Sequence, residues 1–493
     1  LRRGASRIAQ TELMNRRHIL CALAATPLLP QLARAEPAPS LAGDIDILRR
    51  ALALHPGLYR YNSPREMNAR IARLSRDFAA APTMEARYLT LSRFTATIRC
   101  GHTYANFFNQ KRAVRNALFD RPTRLPVHFR WIGGRMIVTG DPGKFGLTPG
   151  TEITSLNNVA PRAMLAALLP YARADGHNDA KRVALLGVAG GDEIEYFDVF
   201  HGLLYGAPPG GEHRVSLRLP DGRTASRTLP AIGLAARQAQ MVKRAYDGDQ
   251  PVWDWSMRPD GIAVLTMPGW ALYNSKWNWR AWLDDRLTSL GGAKGLIVDL
   301  RDNEGGEDCG DPLLARLVDR PIEMAPRDRL LRFRRTPADL DRYLDTWDDS
   351  FRTLGVDATP LGNGFFRQTG AMADEAIRPA GPRLTLPVAA LIGPVNSSAT
   401  YQFALKARAS GRVRLFGETT GGNQRGINGG CFFFVRLPAS GLEFDLPLIG
   451  YFPAGHPPDA GVDPDIRVVQ SAADLAAGRD PAMAAAAGWI SRS

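Results

Sequence analysis

Three short stretches of the chain hold residue types suited to acyl transfer: CGHT at 100–103, DLRDNEGG at 299–306 and NSSAT at 396–400. Acyl transfer needs a nucleophile, a base to take its proton, and donors fixed where the oxyanion develops. Ser398, His102 and the pair Gly305 and Gly306, whose backbone can approach a substrate, match those roles. Each also has a plainer reading, with Ser398 as a helix N-cap, His102 as a helix-end histidine and the glycines as a turn. No CxxC or Cys/His ligand spacing occurs, so neither a metal nor a cofactor is expected.

The elements that must position these residues can be read from periodicity. An apolar run from Leu386 to Ile392 leads into a turn at Pro394 and Asn396, and Ala399, Phe403, Ala404 and Ala407 then recur at helical spacing. A buried strand therefore delivers Ser397 and Ser398 to a helix N-terminus, where free amides and the macrodipole favour an oxyanion. From Trp253 onward strands and helices alternate, which predicts an α/β domain over 250–475. A charged insertion at 321–380, expected to be mostly helical, interrupts it, and a C-terminal helix is expected over 476–493. Ahead of it, i, i+3, i+4 patterns predict a helical region over 36–117, with Asn62, Ser63 and Pro64 marking a helix start. Short alternating runs between Gly and Pro turns predict a β-rich domain over 118–235. Within that domain, GLTPGTEITSLNNV followed by a helix resembles the second half of a PDZ domain.

The chain of 493 residues is 45% hydrophobic and 23% charged, in the range of soluble globular proteins. Six Arg and one Glu of residues 1–35 contribute to the net charge of +13, leaving +8 for the rest. The remaining basic residues are scattered among acids, so no nucleic-acid partner is expected. Met14 to Ala35 has two arginines, a short apolar middle and small residues around Arg34, the layout of a secretory signal. Export, and a periplasmic address after removal of 1–35, is expected, with no stable membrane span.

DLRDNEGG, NSSATYQFA, GETTGG and GVDPDI, in this order, resemble the S41 peptidases, the family of C-terminal processing proteases, tricorn and the retinoid-binding repeat proteins. The resemblance spans roughly 261–487 and implies a crotonase-like α/β catalytic domain acting on polypeptide or peptide substrates. It implies Ser398 as nucleophile, with the amides of Ala399 and of Gly305 or Gly306 as oxyanion donors. Processing proteases carry a Lys base twenty-five residues after the nucleophile, where this chain has Asn423. The tricorn-like branch takes a His from a GHT-like loop, which implies His102 as the base. Asp459 is then the candidate third member, with His456 as its rival. Tyr401 stands where the family usually has Glu. Cys100 and Cys309 approach the same site as a disulfide or as buried thiols. An unperturbed His base predicts activity rising at about pH 6 to 7. The alternatives are a non-catalytic ligand- or peptide-binding protein of the same fold and an esterase. The nucleophile loop lacks a GxSxG elbow, since Gly393 lies five residues before Ser398.

Overall fold

Val388–Ile392 is apolar and buried at every position, as a central strand covered on both faces must be. In the structure, a computed structural model that describes residues 38–241, 244–368 and 376–493, it pairs in parallel with Gly295–Asp299 and Val413–Gly417. The six-stranded sheet runs Ile466–Arg467, Val413–Gly417, Val388–Ile392, Gly295–Asp299, Ile262–Thr266, Asp254–Met257. Asp254–Met257 alone is antiparallel to its neighbour. Strand alternation separates two apolar faces. Ile262, Val264, Ile297, Ala389 and Leu391 pack on the C-terminal helix Pro481–Ile490. Leu265, Leu296, Val298 and Ala390 pack with the helices Trp279–Thr288, Asp311–Leu317 and Ser398–Ser410.

A second six-stranded sheet is antiparallel throughout, in the order Leu344–Asp345, Asn428–Arg436, Glu443–Pro453, Arg327–Leu331, Phe365–Arg367, Thr359–Gly362. Four of its strands come from 321–380, where a mostly helical cover was expected. Among the described residues only the four-residue helix Ala338–Asp341 and a 3-10 turn at Asp349–Thr353 interrupt them. Arginines of this segment lie across aromatic rings, as with Arg332 4.5 Å over Phe365 and Arg329 5.5 Å over Tyr451.

The N-terminal helices are Leu41–Leu52, Pro64–Ala80, Met84–Ala96 and Arg112–Phe119. Ser63 caps the second through a reciprocal box with Glu66, and Pro64 begins it. A five-stranded antiparallel sheet follows: His128–Ile132, Arg135–Gly140, Glu152–Leu156, Glu212–Arg218 and Thr224–Pro230, in sequence order. Asn157 and Asn158, at φ 50° and 65°, make the tight turn that leads to the helix Pro161–Leu168. One apolar core joins the helices (Tyr88), the five-stranded sheet (Phe129) and the second six-stranded sheet (Phe433, Leu446). The expected signal segment lies outside the described residues. Among the described residues no helix is long and apolar enough to cross a membrane.

Candidate active site

The parallel strands Gly295–Asp299, Val388–Ile392 and Val413–Gly417 send their C-terminal loops to one edge, where open α/β sheets place ligands. Asn396 ties these loops together. Its side-chain oxygen accepts from Gly393 N at 2.7 Å, and its amide donates to Asn303 O at 2.9 Å. Its carbonyl accepts from Gly421 N at 2.6 Å and Gly422 N at 3.0 Å. The chain leaves Ser397 extended and enters Ser398 at φ 51°, a left-handed conformation that costs a non-glycine residue on the order of 1–3 kcal/mol. Ser398 begins the helix Ser398–Ser410 and is half-buried, whereas Ser397 is 2% exposed.

Gly305 packs against this turn. Gly305 N is occupied by Asn303 Oδ1 at 2.9 Å. The amides of Gly306 and Ala399 have no protein acceptor among the described residues. Gly305 instead supplies space: at φ 115°, a Cβ there would stand 2.9 Å from Ser398 Cβ and 3.1 Å from Ala399 N. Gly306, at φ 136°, lies so close to the Trp270 backbone that a Cβ would come within 2.2 Å of its carbonyl.

His102 comes from the N-terminal region, and its loop is braced from behind. Thr103 Oγ1 bonds His55 Nε2 at 2.8 Å, and Gly101 N donates to Asp175 Oδ1 at 2.8 Å. Burial pushes the His102 imidazole down to about 4; Asp175 opposes this, and Arg173 and Lys181 reinforce it. The ring is therefore neutral well below the range expected of an unperturbed His. His102 Nδ1 and Asp175 Oδ2 are both buried without a partner.

A cluster of buried charges, not visible in the sequence, locks the loops from below. Lys181, fully buried in the helix Asp179–Leu185, donates to Ser397 Oγ at 2.6 Å and pairs with Glu304 Oε1 at 2.9 Å. Ser397 Oγ in turn donates to Glu304 O at 3.1 Å, and Arg173 pairs with Glu304 Oε2 at 2.9 Å. Burial raises the Glu304 carboxyl, but Arg173 and Lys181 outweigh it and hold it down to about 2. Burial lowers the Lys181 ammonium, and Glu304 opposes that. Nothing in the sequence around Lys181 or Asp175 marks them, because both belong to the segment that follows the PDZ-like stretch.

Other expected residues are placed differently. Asp459 is held by His177, with Nδ1 at 2.6 Å and N at 3.1 Å, and by Asn423 Nδ2 at 2.7 Å, so its oxygens serve that pair and not His102. His456 is exposed. Asn423 also donates to Asp175 O at 3.3 Å, which links the Asp459 pair to the His102 loop. Tyr401 is buried, and Gly422 sits so tightly on its ring that a Cβ would approach within 2.2 Å. An aromatic here thus packs the GETTGG loop where a carboxylate was expected. Arg301 bridges Asp299 and Asp480, fastening the C-terminal helix beneath the loop. Cys100, Cys309 and Cys431 are free thiols. No group of three or more His, Cys, Asp or Glu among the described residues is arranged to hold a metal ion.

Comparison with known proteins agrees with this geometry. Residues 261–468 match the model of peptidase family S41. Mature CPAF complexed with lactacystin superimposes with a TM-score of 0.61 at 16% identity, over 92% of this chain and 97% of that one. Mature CPAF alone gives 0.60 at 16% identity, over 92% and 95%. At that identity the likeness speaks for the fold. No curated protein sequence matches the chain. Residues 261–468 are thus those of an S41-type serine peptidase domain.

Proposed function

We propose that the chain hydrolyses peptide bonds through an acyl-enzyme on Ser398, with His102 as general base. His102 takes the Ser398 proton as Oγ attacks the scissile carbonyl. The oxyanion forms between the amides of Gly306 and Ala399, and His102 then protonates the leaving amine. Water repeats the sequence on the ester. Asp175, the largest charge acting on His102, holds the imidazolium that forms. The observation that carries this reading is the half-buried Ser398 at positive φ, followed by the unoccupied amide of Ala399 and packed against Gly305. Ser397 next to Lys181 has the look of a Ser/Lys dyad, but its hydroxyl is buried and donates to Glu304 O.

A fluorophosphonate should label Ser398, read by peptide mapping. Ser398→Ala should abolish labelling and turnover, and Ser397→Ala should retain labelling. Label recovered on Ser397 would overturn the assignment.

The five-stranded sheet with the helix Pro161–Leu168 is read as the PDZ-like module of the architecture, supported by its antiparallel order and its strand–turn–helix segment. The address is proposed from Met14 to Ala35: the mature protein begins near Glu36 outside the cytoplasm. N-terminal sequencing of protein recovered from the native host tests this, and intact Met14 in a cytosolic fraction would sink it.

A further inference from the structure

The strand Asn428–Arg436 alternates between a buried face, with Phe433 and Val435, and a half-exposed face, with Phe432 and Phe434. Trp347, from the loop after the strand Leu344–Asp345, lies across both half-exposed rings, with centroids 5.8 Å from Phe432 and 5.7 Å from Phe434. Phe351 meets Trp347 edge-on at 5.3 Å, yet Trp347 stays 60% exposed. At its other end the strip reaches the catalytic loop, because the Phe432 ring lies 5.8 Å from the His102 ring. Beside it lies Gly429, where a Cβ would stand 3.9 Å from the imidazole.

We propose that Trp347 and Phe432 form a subsite for a bulky apolar side chain on the leaving-group side of the scissile bond, so that the substrates are polypeptides carrying such a residue just after the cut. This rests on His102 being the base. The base must also protonate the leaving amine, so the chain beyond the cut runs past His102 and onto the surface that adjoins it. An exposed aromatic strip continuous with a catalytic centre gains from covering, and a peptide passing the imidazole is positioned to cover it. Packing of Trp347 as an ordinary part of the 321–380 segment would bury it against Phe351; its open face is what that reading leaves unexplained.

The test uses the whole protein and denatured β-casein, with cut sites mapped by mass spectrometry. Wild type should favour Phe, Leu, Ile or Trp over Ser or Asp immediately after the cut by about 10- to 100-fold in kcat/KM, the range over which apolar pockets discriminate. Trp347→Ala should reduce that preference to within about threefold, and Trp347→Phe should keep most of it. Equal cleavage by wild type before apolar and polar residues, or a full preference retained by Trp347→Ala, would overturn the subsite. Fluorophosphonate labelling of wild type separates this failure from a deeper one. Labelling without any preference removes the subsite and leaves the Ser398 mechanism standing, whereas absence of labelling removes both.

Discussion

His102 and Asp175 bring two unpartnered buried atoms, Nδ1 and Oδ2, into one neighbourhood, and an unpaired buried polar atom costs roughly 1–3 kcal/mol. Under the proposed mechanism Nε2 accepts the Ser398 proton, so the neutral ring already carries its own proton on Nδ1, and the charge of Asp175 favours the imidazolium that forms. The pH dependence follows. Burial lowers His102 to about 4, so kcat/KM should be level at neutral pH and fall only as acid approaches about pH 4, below the pH 6 to 7 that an unperturbed His predicts. Asp175 raises that value, so Asp175→Asn should move the acid limb lower still and reduce kcat at pH 7 by about 10²- to 10⁴-fold. Asp459→Asn should leave the acid limb in place, because Asp459 serves His177 and Asn423. Initial rates across pH 3.5–8 decide between them, and an acid limb displaced by Asp459→Asn alone would return the third role to that residue.

At the scale of elements, the buried Lys181 joins three pieces of chain distant in sequence: its own helix, the glycine loop through Glu304, and the nucleophile turn through Ser397. Because Glu304 directly precedes Gly305, the clamp fixes the donor loop against the turn that carries Ser398. Lys181→Met leaves Glu304 with only Arg173 and should destabilise the protein by about 3–5 kcal/mol, as breaking a buried ion pair does. In a double-mutant cycle read by urea unfolding, Lys181→Met and Glu304→Gln should be less than additive, because each alone already breaks the pair, while Glu304→Gln also deprives Arg173 of its carboxylate. Additive losses would show that the pair does not carry the effect. This element also marks what the sequence could reveal. The strand, turn and helix around Ser398 were legible because periodicity and turn residues are local signals, and so were the glycine loop and the Asn157–Asn158 turn. Lys181 and Asp175 were not, since their meaning arises only when 173–181 folds against loops 74 to 216 residues away. The strands of 321–380 were obscured because frequent Arg and Asp hid the alternation of Leu and Phe beneath them. The nearness of Asp459 to the GVDPDI stretch says nothing of which histidine it meets, and in the fold that histidine is His177.

Over the whole molecule, the proposed nucleophile and its proposed base stand on different parts of the chain, so that mechanism makes the folding of the N-terminal region a condition of catalysis. The segment that follows His102 docks along Glu443–Pro453: Asp445 N donates to Tyr104 O at 3.0 Å, and Asn106 and Asn109 donate to the Asp445 carboxyl at 2.7 and 2.9 Å. Behind it, His55 Nδ1 accepts from Gly57 N at 3.0 Å, which leaves the Nε2 proton for Thr103. Protonating His55 would break the Gly57 bond and disturb the residue next to His102. Burial accordingly lowers His55 to about 3 and His201 to about 3, alongside His102 at about 4, each from 6.5, while burial raises Asp445 from 3.8 to about 7. Between about pH 4 and 6.5 each of these histidines takes up a proton on unfolding, whereas Asp445, Glu195, raised by burial to about 8, and Asp192, raised by burial to about 6, release protons and oppose them. The histidine contribution to stability therefore rises with pH across that window, by roughly 1.4 kcal/mol per pH unit for each proton, and is complete near pH 6.5. In urea unfolding from pH 4.5 to 6.5, His55→Gln should flatten the slope of stability against pH by about one proton, since its uptake is lost while the other groups remain. A His55→Gln slope equal to that of wild type would show that His55 does not contribute to the acid sensitivity of the fold. If the slope does flatten, casein cleavage by the same variant at neutral pH reports how far the GHT loop depends on the helical region behind it, because Thr103 then loses the partner that holds it beside His102.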